Sequence, residues 1–424
     1  MSLGRFIYSC VLYLLLPFVL LRLLLKSRKN RHYRLRIKER LGWLPFSRDG
    51  KKIIWVHTVS VGEAIAAKPL IEQLLSTYPQ QSILVTTTTP TGSETVTKLF
   101  GDKILHCYFP YDLPHIVKRF INKLNPALLI IVETEIWPNL YATCSQKSIP
   151  VLMVNARLSI RSTQQYLRIK NLVKETLSYT TLIAVRSLED KQHFLSLGAP
   201  THNVELVGNI KFDINVDENK VEQSHLLKAQ WGKHRKVWVA ASTHQGEDEI
   251  ILSIFTDLKK YFPSLLLIIV PRHPERFDDV YNLLSSSTYS VKRRSNKTSF
   301  NKSTDIILGD SMGELLLWYA TADIAFIGGS LVKTGGHNPL EATIFGVPTI
   351  CGPYIFNFKD LYPILCDAKI AWVEKDQKEV QRRLKKRLET NDSFKPRCDK
   401  FMQQHKGVVD KLMQHIKAVI KKQA

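Results

Sequence analysis

Two loops carry residues whose types and spacing point to chemistry. The first is Phe326–Pro353, FIGGSLVKTGGHNPLEATIFGVPTICGP. It leaves an apolar run at Gly328-Gly329, turns again at Gly335-Gly336 and enters a helix through His337-Asn338-Pro339-Leu340-Glu341. Asn338 can cap that helix, and Pro339 suits its first position, where no N–H is needed. Free amides at a helix start, fed by a glycine loop, form a site for an anion. Glu341, one turn in, repels phosphate but suits the two hydroxyls of a ribose. The stretch reads as a grip for the phosphate and sugar of a nucleotide. A lone Gly-Gly pair would mean only a tight turn.

The second loop, HTVSVGE, ends in Glu63 at a helix start, where the helix dipole favours a carboxylate. A carboxylate at a strand end facing a cleft serves as a general base. Taken alone, Glu63 is only an N-terminal helix charge. Gly62 tips the balance by letting a substrate approach the backbone.

Other strand ends add to these two. TTTTPTGS (86–93) offers hydroxyls for sugar or phosphate oxygens, or simply caps a helix. Glu133 and Glu135 follow a buried run, where acids are costly unless paired or functional, and either can balance Arg157. Lys211 stands at a domain junction, where a cation can neutralise a leaving phosphate; by itself it reads as a solvated linker lysine. Ser242-Thr243-His244 with Glu247, Arg272 after Pro271, and GDSMGE (309–314) end or follow three further strands. Arg272, held between a strand and a proline-started helix, is placed for bidentate phosphate contact. With residues 328–341 these loops converge on one nucleotide-sized site.

The elements that position these loops alternate. From Lys52 onward, short apolar runs such as Ile53–His57, Ser82–Thr86 and Val237–Ala241 are separated by helical stretches. That pattern means parallel sheets covered on both faces. The segment Gly208–Glu222 is polar and aperiodic and reads as a linker. The expected organisation is a membrane-anchor helix (1–25), a basic juxtamembrane segment (26–51) and two doubly wound α/β domains (52–212 and 213–424), with ligands at the strand carboxyl ends and a cleft between the domains. A basic amphipathic helix (Val408–Lys422) closes the chain.

Phe6–Leu25 is nearly all apolar, and Lys26–Arg40 follows with eight Lys/Arg and one Glu. This predicts an anchor with the rest of the chain on the cytoplasmic side. Pro17 and Arg22 weaken a clean span, so spanning and lying in one leaflet both stay open. The whole chain of 424 residues carries a net charge of +22, which calls for a polyanionic partner: nucleic acid, an anionic membrane or a phosphorylated substrate. The six cysteines lack C-x-x-C spacing and read as reduced thiols. There is no G-x-x-x-x-G-K-[ST], no early G-x-G-x-x-G, no D-x-D and no H-E-x-x-H. An ATPase and a dehydrogenase are disfavoured, no metal is called for, and no aromatic-basic RNA signature is present.

These motifs, in this order, resemble the 3-deoxy-D-manno-octulosonic acid (Kdo) transferases of lipopolysaccharide synthesis. The resemblance rests on VHTVSVGE (56–63), TTTTPTGSE (86–94), PYDLP (110–114), ETEIWPN (133–139), NARLS (155–159), STHQGE (242–247), VPRHPERF (270–277), GDSMGEL (309–315), FIGGSLV (326–332), GGHNPLEA (335–342) and GP with NFKD (352–360). It covers nearly the whole chain. It implies a GT-B fold, an acceptor-binding first domain and a CMP-Kdo-binding second one. It further implies inverting, metal-independent transfer to a lipid A precursor at the cytoplasmic face of the inner membrane, with an anionic membrane surface and no nucleic acid among the partners. Carried over, Glu63 resembles the base, and Glu133 and Lys211 the transition-state stabilisers. Pro271, Arg272, Met312, Gly313, Glu314, Asn338, Pro339, Leu340 and Glu341 resemble the CMP contacts. Two alternatives stay open: a GT-B enzyme using a UDP-sugar, and a tethered nucleotide-binding protein without catalysis.

Overall fold

Apolar runs of three to seven residues become buried parallel strands, because a strand covered on both faces has no polar side to show. The computed structural model describes residues 1–28, 35–47, 50–214, 216, 218–232, 234–296, 299–390 and 392–422. Residues 29–34, the middle of the basic segment, lie outside the described residues. The chain divides into two units: residues 1–213 with 406–424, and residues 214–405.

The first unit holds β1 (Ile53–His57), β2 (Ser82–Thr87), β3 (Leu105–Tyr108), β4 (Pro126–Val132), β5 (Val151–Ala156), β6 (Leu182–Val185) and β7 (Val204–Leu206). They form one sheet in the order β3-β2-β1-β4-β5-β6-β7, every pairing parallel. The strand order reverses between β1 and β4. The second unit holds β8 (Val237–Thr243), β9 (Leu266–Pro271), β10 (Val291–Arg293), β11 (Ile306–Leu308), β12 (Ile324–Ile327), β13 (Thr349–Cys351) and β14 (Ala371–Val373). Their order is β10-β11-β9-β8-β12-β13-β14, again parallel, with the reversal between β8 and β12. In open α/β sheets, ligands bind outside the carboxyl ends of the strands at such a reversal.

Side chains from alternate positions feed the two faces of each sheet. In β1, Ile53 and Trp55 join one core with Phe109, Phe120 and Leu140; Ile54 and Val56 join the other with Leu70, Leu74 and Val96. In the second unit, Trp238 and Phe326 pack with Ile251, Phe255 and Leu384.

Two boundaries differ from those the sequence predicts. The expected linker Gly208–Glu222 is partly built into elements. Residues Ile210–Phe212 form a turn of 3-10 helix whose Ile210 and Phe212 are buried, and a helix runs from Glu218 to Trp231. The expectation failed because Glu218–Trp231 lacks the apolar periodicity that marks an amphipathic helix. The closing helix, Val408–Lys421, belongs to the first unit and not to the second. Its Val408, Val409, Leu412, Met413 and Ile416 pack into the β1–β4 core beside Val207 and Ile210. Asp213 supplies its cap: one carboxylate oxygen accepts from the Gly407 amide at 2.7 Å, the other from the Val409 amide at 2.5 Å.

The apolar N-terminal segment is one helix, Leu3–Ser27, long and apolar enough to cross a membrane.

Candidate active site

In the first unit, the loops after β1 and β4 meet at the reversal. After β1 the chain turns at Ser60, whose hydroxyl oxygen caps a short helix, Val61–Ala66, by accepting from the Glu63 amide at 3.4 Å. Glu63 reaches back in a capping box. Its carboxylate accepts from the Val59 amide at 2.6 Å and from the Ser60 hydroxyl at 2.9 Å. The helix ends at Ala66 and a second one runs from Lys68 to Thr77.

These contacts fix Glu63 without neutralising it. Burial raises its pKa from 4.5 to about 7, reinforced by the Glu133 carboxylate and offset by the two hydrogen bonds. Glu135 is likewise raised to about 7, first by burial and then by Glu63 and Glu133. Three acids from two adjacent strand ends, Glu63 after β1 and Glu133 and Glu135 after β4, thus influence one another, and two of them are poised to hold or release a proton near neutrality. Glu133 is held at φ 64°, in the left-handed region that side chains rarely adopt. Its amide donates to the Val154 carbonyl at 2.8 Å, tying it to β5. Thr134 makes the link to the Arg157 backbone: its hydroxyl oxygen accepts from the Arg157 amide at 3.0 Å.

Lys211 joins this neighbourhood through the backbone. Asn155, also left-handed at φ 56°, accepts the Ile210 amide at 3.2 Å, and Asn209 accepts the Lys211 amide at 3.1 Å. Behind the site, His57 is fully buried, stacks on Phe109 and lies 3.0 Å from the Thr86 hydroxyl; burial lowers its pKa to about 3, so it is neutral.

In the second unit, the loops after β8 and β12 meet at the other reversal, and the sequence expectation needs correction there. The amides of the Gly328–Leu331 turn are not free for an anion. Those of Gly329, Ser330 and Leu331 donate to the carboxylate of Glu247 at 2.7, 3.0 and 2.9 Å, and the His244 amide adds a fourth bond at 2.9 Å. The anion in this nest is the chain's own, and Glu247 is fully buried. Close packing of the two loops demands glycine at 328, because a Cβ there would collide with the Ser242 carbonyl.

What remains open is polar and basic. Pro271 is buried at the end of β9, and the next residue, Arg272, is exposed, with its amide bonded to the Thr243 carbonyl at 3.0 Å. Asn338 accepts the Leu340 amide at 3.1 Å in an Asx turn one residue ahead of the cap position, which Pro339 takes. Pro339 stands just before the Leu340–Thr343 helix rather than at its first position. Leu340 is buried, so its side chain packs and only its backbone is available. Glu341 is raised to about 6 by burial, with Asn338 and the nearby Arg272 pulling the other way. Arg272 and Glu341 are therefore brought together. Met312 is exposed, Gly313 is left-handed at φ 82°, and the Glu314 carboxylate is clamped by Arg294 through two bonds of 2.9 Å.

The sequence places three histidines in these loops but gives none of them a role. His244 and His337 stack with their Nε2 atoms 2.9 Å apart, and His273 packs edge-on to His244 at 5.2 Å. Burial and the adjacent Arg272 lower His337 to about 3, which leaves it a neutral donor or acceptor. Their only sequence signal is that each sits in a loop at a strand end.

The 3-deoxy-D-manno-octulosonic-acid transferase (kdotransferase) family model matches residues 35–214. A 3-deoxy-D-manno-octulosonic acid transferase of Haemophilus influenzae is 44% identical over 366 residues, covering 86% of each chain. This chain belongs to the Kdo transferase family. The Bordetella pertussis Kdo transferase is 34% identical over 316 residues, 72% of each chain. Among solved structures, a UDP-GlcNAc 2-epimerase of Neisseria meningitidis (16% identity, TM-score 0.52) covers 82% of this chain and is itself covered to 94%. A glycosyltransferase of Rickettsia africae (12% identity, TM-score 0.53) covers 88%, and 99% of its own length. The two parallel sheets and these likenesses identify the fold as GT-B. As a Kdo transferase the chain is a glycosyltransferase.

Proposed function

We propose that the chain moves Kdo from CMP-Kdo to a tetraacylated lipid A precursor (lipid IVA), with inversion and with Glu63 as the general base. The observation that carries this reading is the Glu63 carboxylate: oriented by Val59 and Ser60, set at the β1–β4 reversal, and raised to about 7. A sugar hydroxyl is a weak nucleophile, and a base poised near the working pH removes its proton most effectively. In the step, the acceptor oxygen bonds to the anomeric carbon of Kdo and its proton passes to Glu63. The bond from that carbon to the phosphate oxygen breaks, and its electron pair leaves with CMP.

Glu133 and Lys211 are assigned to stabilising the transition state. Arg272 meets the phosphate, and Asn338 and Glu341 the ribose; Pro271, Met312 to Glu314, and the Pro339–Leu340 backbone complete the CMP contacts. Charge stabilisation by fixed cations and amides requires no metal. The same reading places the enzyme on the cytoplasmic face of the inner membrane, where its positive charge attracts both anionic lipid and a phosphorylated acceptor.

The test is purified protein with CMP-Kdo and lipid IVA, read by product mass spectrometry. Glu63→Gln is expected to lose a factor of about 10²–10⁴ in rate while CMP affinity holds. EDTA is expected to leave the rate unchanged. Turnover with UDP-sugars alone, or full activity in Glu63→Gln, would overturn the reading.

A further inference from the structure

The Leu3–Ser27 helix is two-faced. One stripe of its first half is polar, with Arg5, Ser9 and Tyr13 four residues apart and Tyr8 beside them, three after Arg5. Each of these side chains is engaged by the first unit. Arg5 pairs with Glu175 at 3.8 Å, and Glu175 also accepts from the Ser2 hydroxyl. Tyr8 donates to Asp112 at 3.0 Å. Ser9 donates to Asn139 at 3.2 Å, and Tyr13 stacks on His115 with its hydroxyl 2.6 Å from Nδ1. Asp112 is buried and also accepts the Asn139 and Leu140 amides at 3.0 and 2.7 Å. The contact is thus a built, hydrogen-bonded joint. The rest of the helix surface shows Phe6, Leu14, Phe18, Leu21 and Leu25, each at least half exposed.

The chain that follows the helix returns to the same unit. Beyond Ser27, the chain is fastened again at Arg36, Glu39 and Arg40. Arg36 donates to Ser93 at 3.0 Å, Glu39 accepts the Tyr108 amide at 2.9 Å, and Arg40 donates to the Thr88 carbonyl at 2.9 Å. The nine residue steps from Ser27 to Arg36 reach at most about 32 Å when fully extended. The hydrocarbon core of a bilayer is about 30 Å thick, and about 40–45 Å with its headgroups. The part of the helix free of polar ties, residues 14–27, is about 21 Å long. The free part of the helix is shorter than the hydrocarbon core, the returning chain is shorter than the bilayer with its headgroups, and a spanning helix cannot have both its start and the chain just beyond it fastened to one globular unit.

We infer that Leu3–Ser27 lies within a single leaflet, on the side of the bilayer that faces the globular units, with its first half clamped to the first unit. The occupant of its apolar face is the acyl region of an anionic membrane. Arg22 and Arg28, toward the end of the helix, extend to the headgroups while their stems stay in the apolar layer. The clamp also fixes which side of the first unit meets the membrane. This inference stands apart from the reaction proposed above.

The test uses the full chain in vesicles of phosphatidylethanolamine and phosphatidylglycerol (3:1), with one protease-cleavable tag ahead of Met1 and another after Ala424. Both tags are expected to be cut from the same side without detergent. A Met1 tag protected until detergent is added, while the Ala424 tag is cut, would overturn the inference. Spin labels at Phe6→Cys, Phe18→Cys and Leu25→Cys, in a Cys10→Ser background, give an independent reading. All three are expected at similar shallow depth. A label at 18 in mid-bilayer, with 6 and 25 near opposite interfaces, would refute it. Failure to float with vesicles, combined with a stable dimer that buries these positions, would assign the face to a second copy and equally overturn it.

Discussion

Glu247→Ala removes a carboxylate that four amides, two buried and two half-buried, share at 2.7 to 3.0 Å. A buried donor stripped of its partner costs about 1–3 kcal/mol. Water entering the vacated space meets part of that cost, so the expected loss is about 3–5 kcal/mol, as when one side of a buried charged contact is deleted. Glu247→Gln discriminates further. It keeps the shape but turns one oxygen into an NH₂ group facing N–H donors, so its loss should approach that of alanine. The assay is urea unfolding followed through the buried tryptophans of the second unit, Trp231, Trp238 and Trp318, paired with CMP titration. CMP affinity should fall together with stability, because the Gly328–Leu331 turn carries the chain into the Asn338–Glu341 segment. The opposite outcome is equally definite. If those amides are a phosphate site that Glu247 merely occupies, the alanine variant will bind CMP or inorganic phosphate more tightly and lose under 1 kcal/mol. That result would refute the reasoning.

Three further perturbations test other parts of the structure. Because burial raises Glu63 to about 7, the native state holds its proton to higher pH than the unfolded chain does. The associated stability is fully present below about pH 4.5 and is lost as pH rises through 7. Glu63→Gln should therefore gain on the wild type by up to about 1.4 kcal/mol per pH unit across that window, a difference from which the histidine contributions cancel; equal urea midpoint shifts at pH 5 and pH 8 would count against it. Gly328→Ala should cost the second unit more than about 2 kcal/mol, since the clash is with backbone, and a thermal midpoint within a degree of wild type would refute the packing argument. Deleting residues 406–424 removes five buried apolar side chains worth about 1.5–3 kcal/mol each. Calorimetry should then show the first unit unfolded and the transition of the second retained.

Much of this was legible in the residues. Runs such as Ile53–His57 and Leu266–Pro271 admit one reading, a strand buried on both faces, and the loops that follow them hold Glu63 and Arg272. The Glu218–Trp231 helix was not legible, because its polar and apolar residues follow no period. The closing helix shows its apolar stripe, yet nothing local says that the stripe seats against β1 and β4 rather than the nearer sheet. The fate of the Gly328–Leu331 amides was hidden for a related reason. Glycine-rich turns announce donors, but only the fold reveals that Glu247, more than eighty positions earlier, already occupies them. The left-handed backbones of Glu133, Asn155 and Ser242 carry no sequence mark at all, since only glycine advertises that conformation.

The closing helix has a consequence for how the chain is made. The first unit is complete only when residues 406–424 have been synthesised, after the whole of the second unit. About 190 residues intervene, roughly 10–40 s of translation at 5–20 residues per second. Throughout that interval the seat for Val408, Leu412 and Ile416 lies open on the first unit, while the apolar N-terminal helix has already emerged from the ribosome. The nascent chain therefore presents two greasy surfaces early and closes one of them last. A ribosome stalled before residue 406 would hold a second unit able to fold beside a first unit still exposed to chaperones and proteases, which makes the last nineteen residues a checkpoint on the synthesis of the whole.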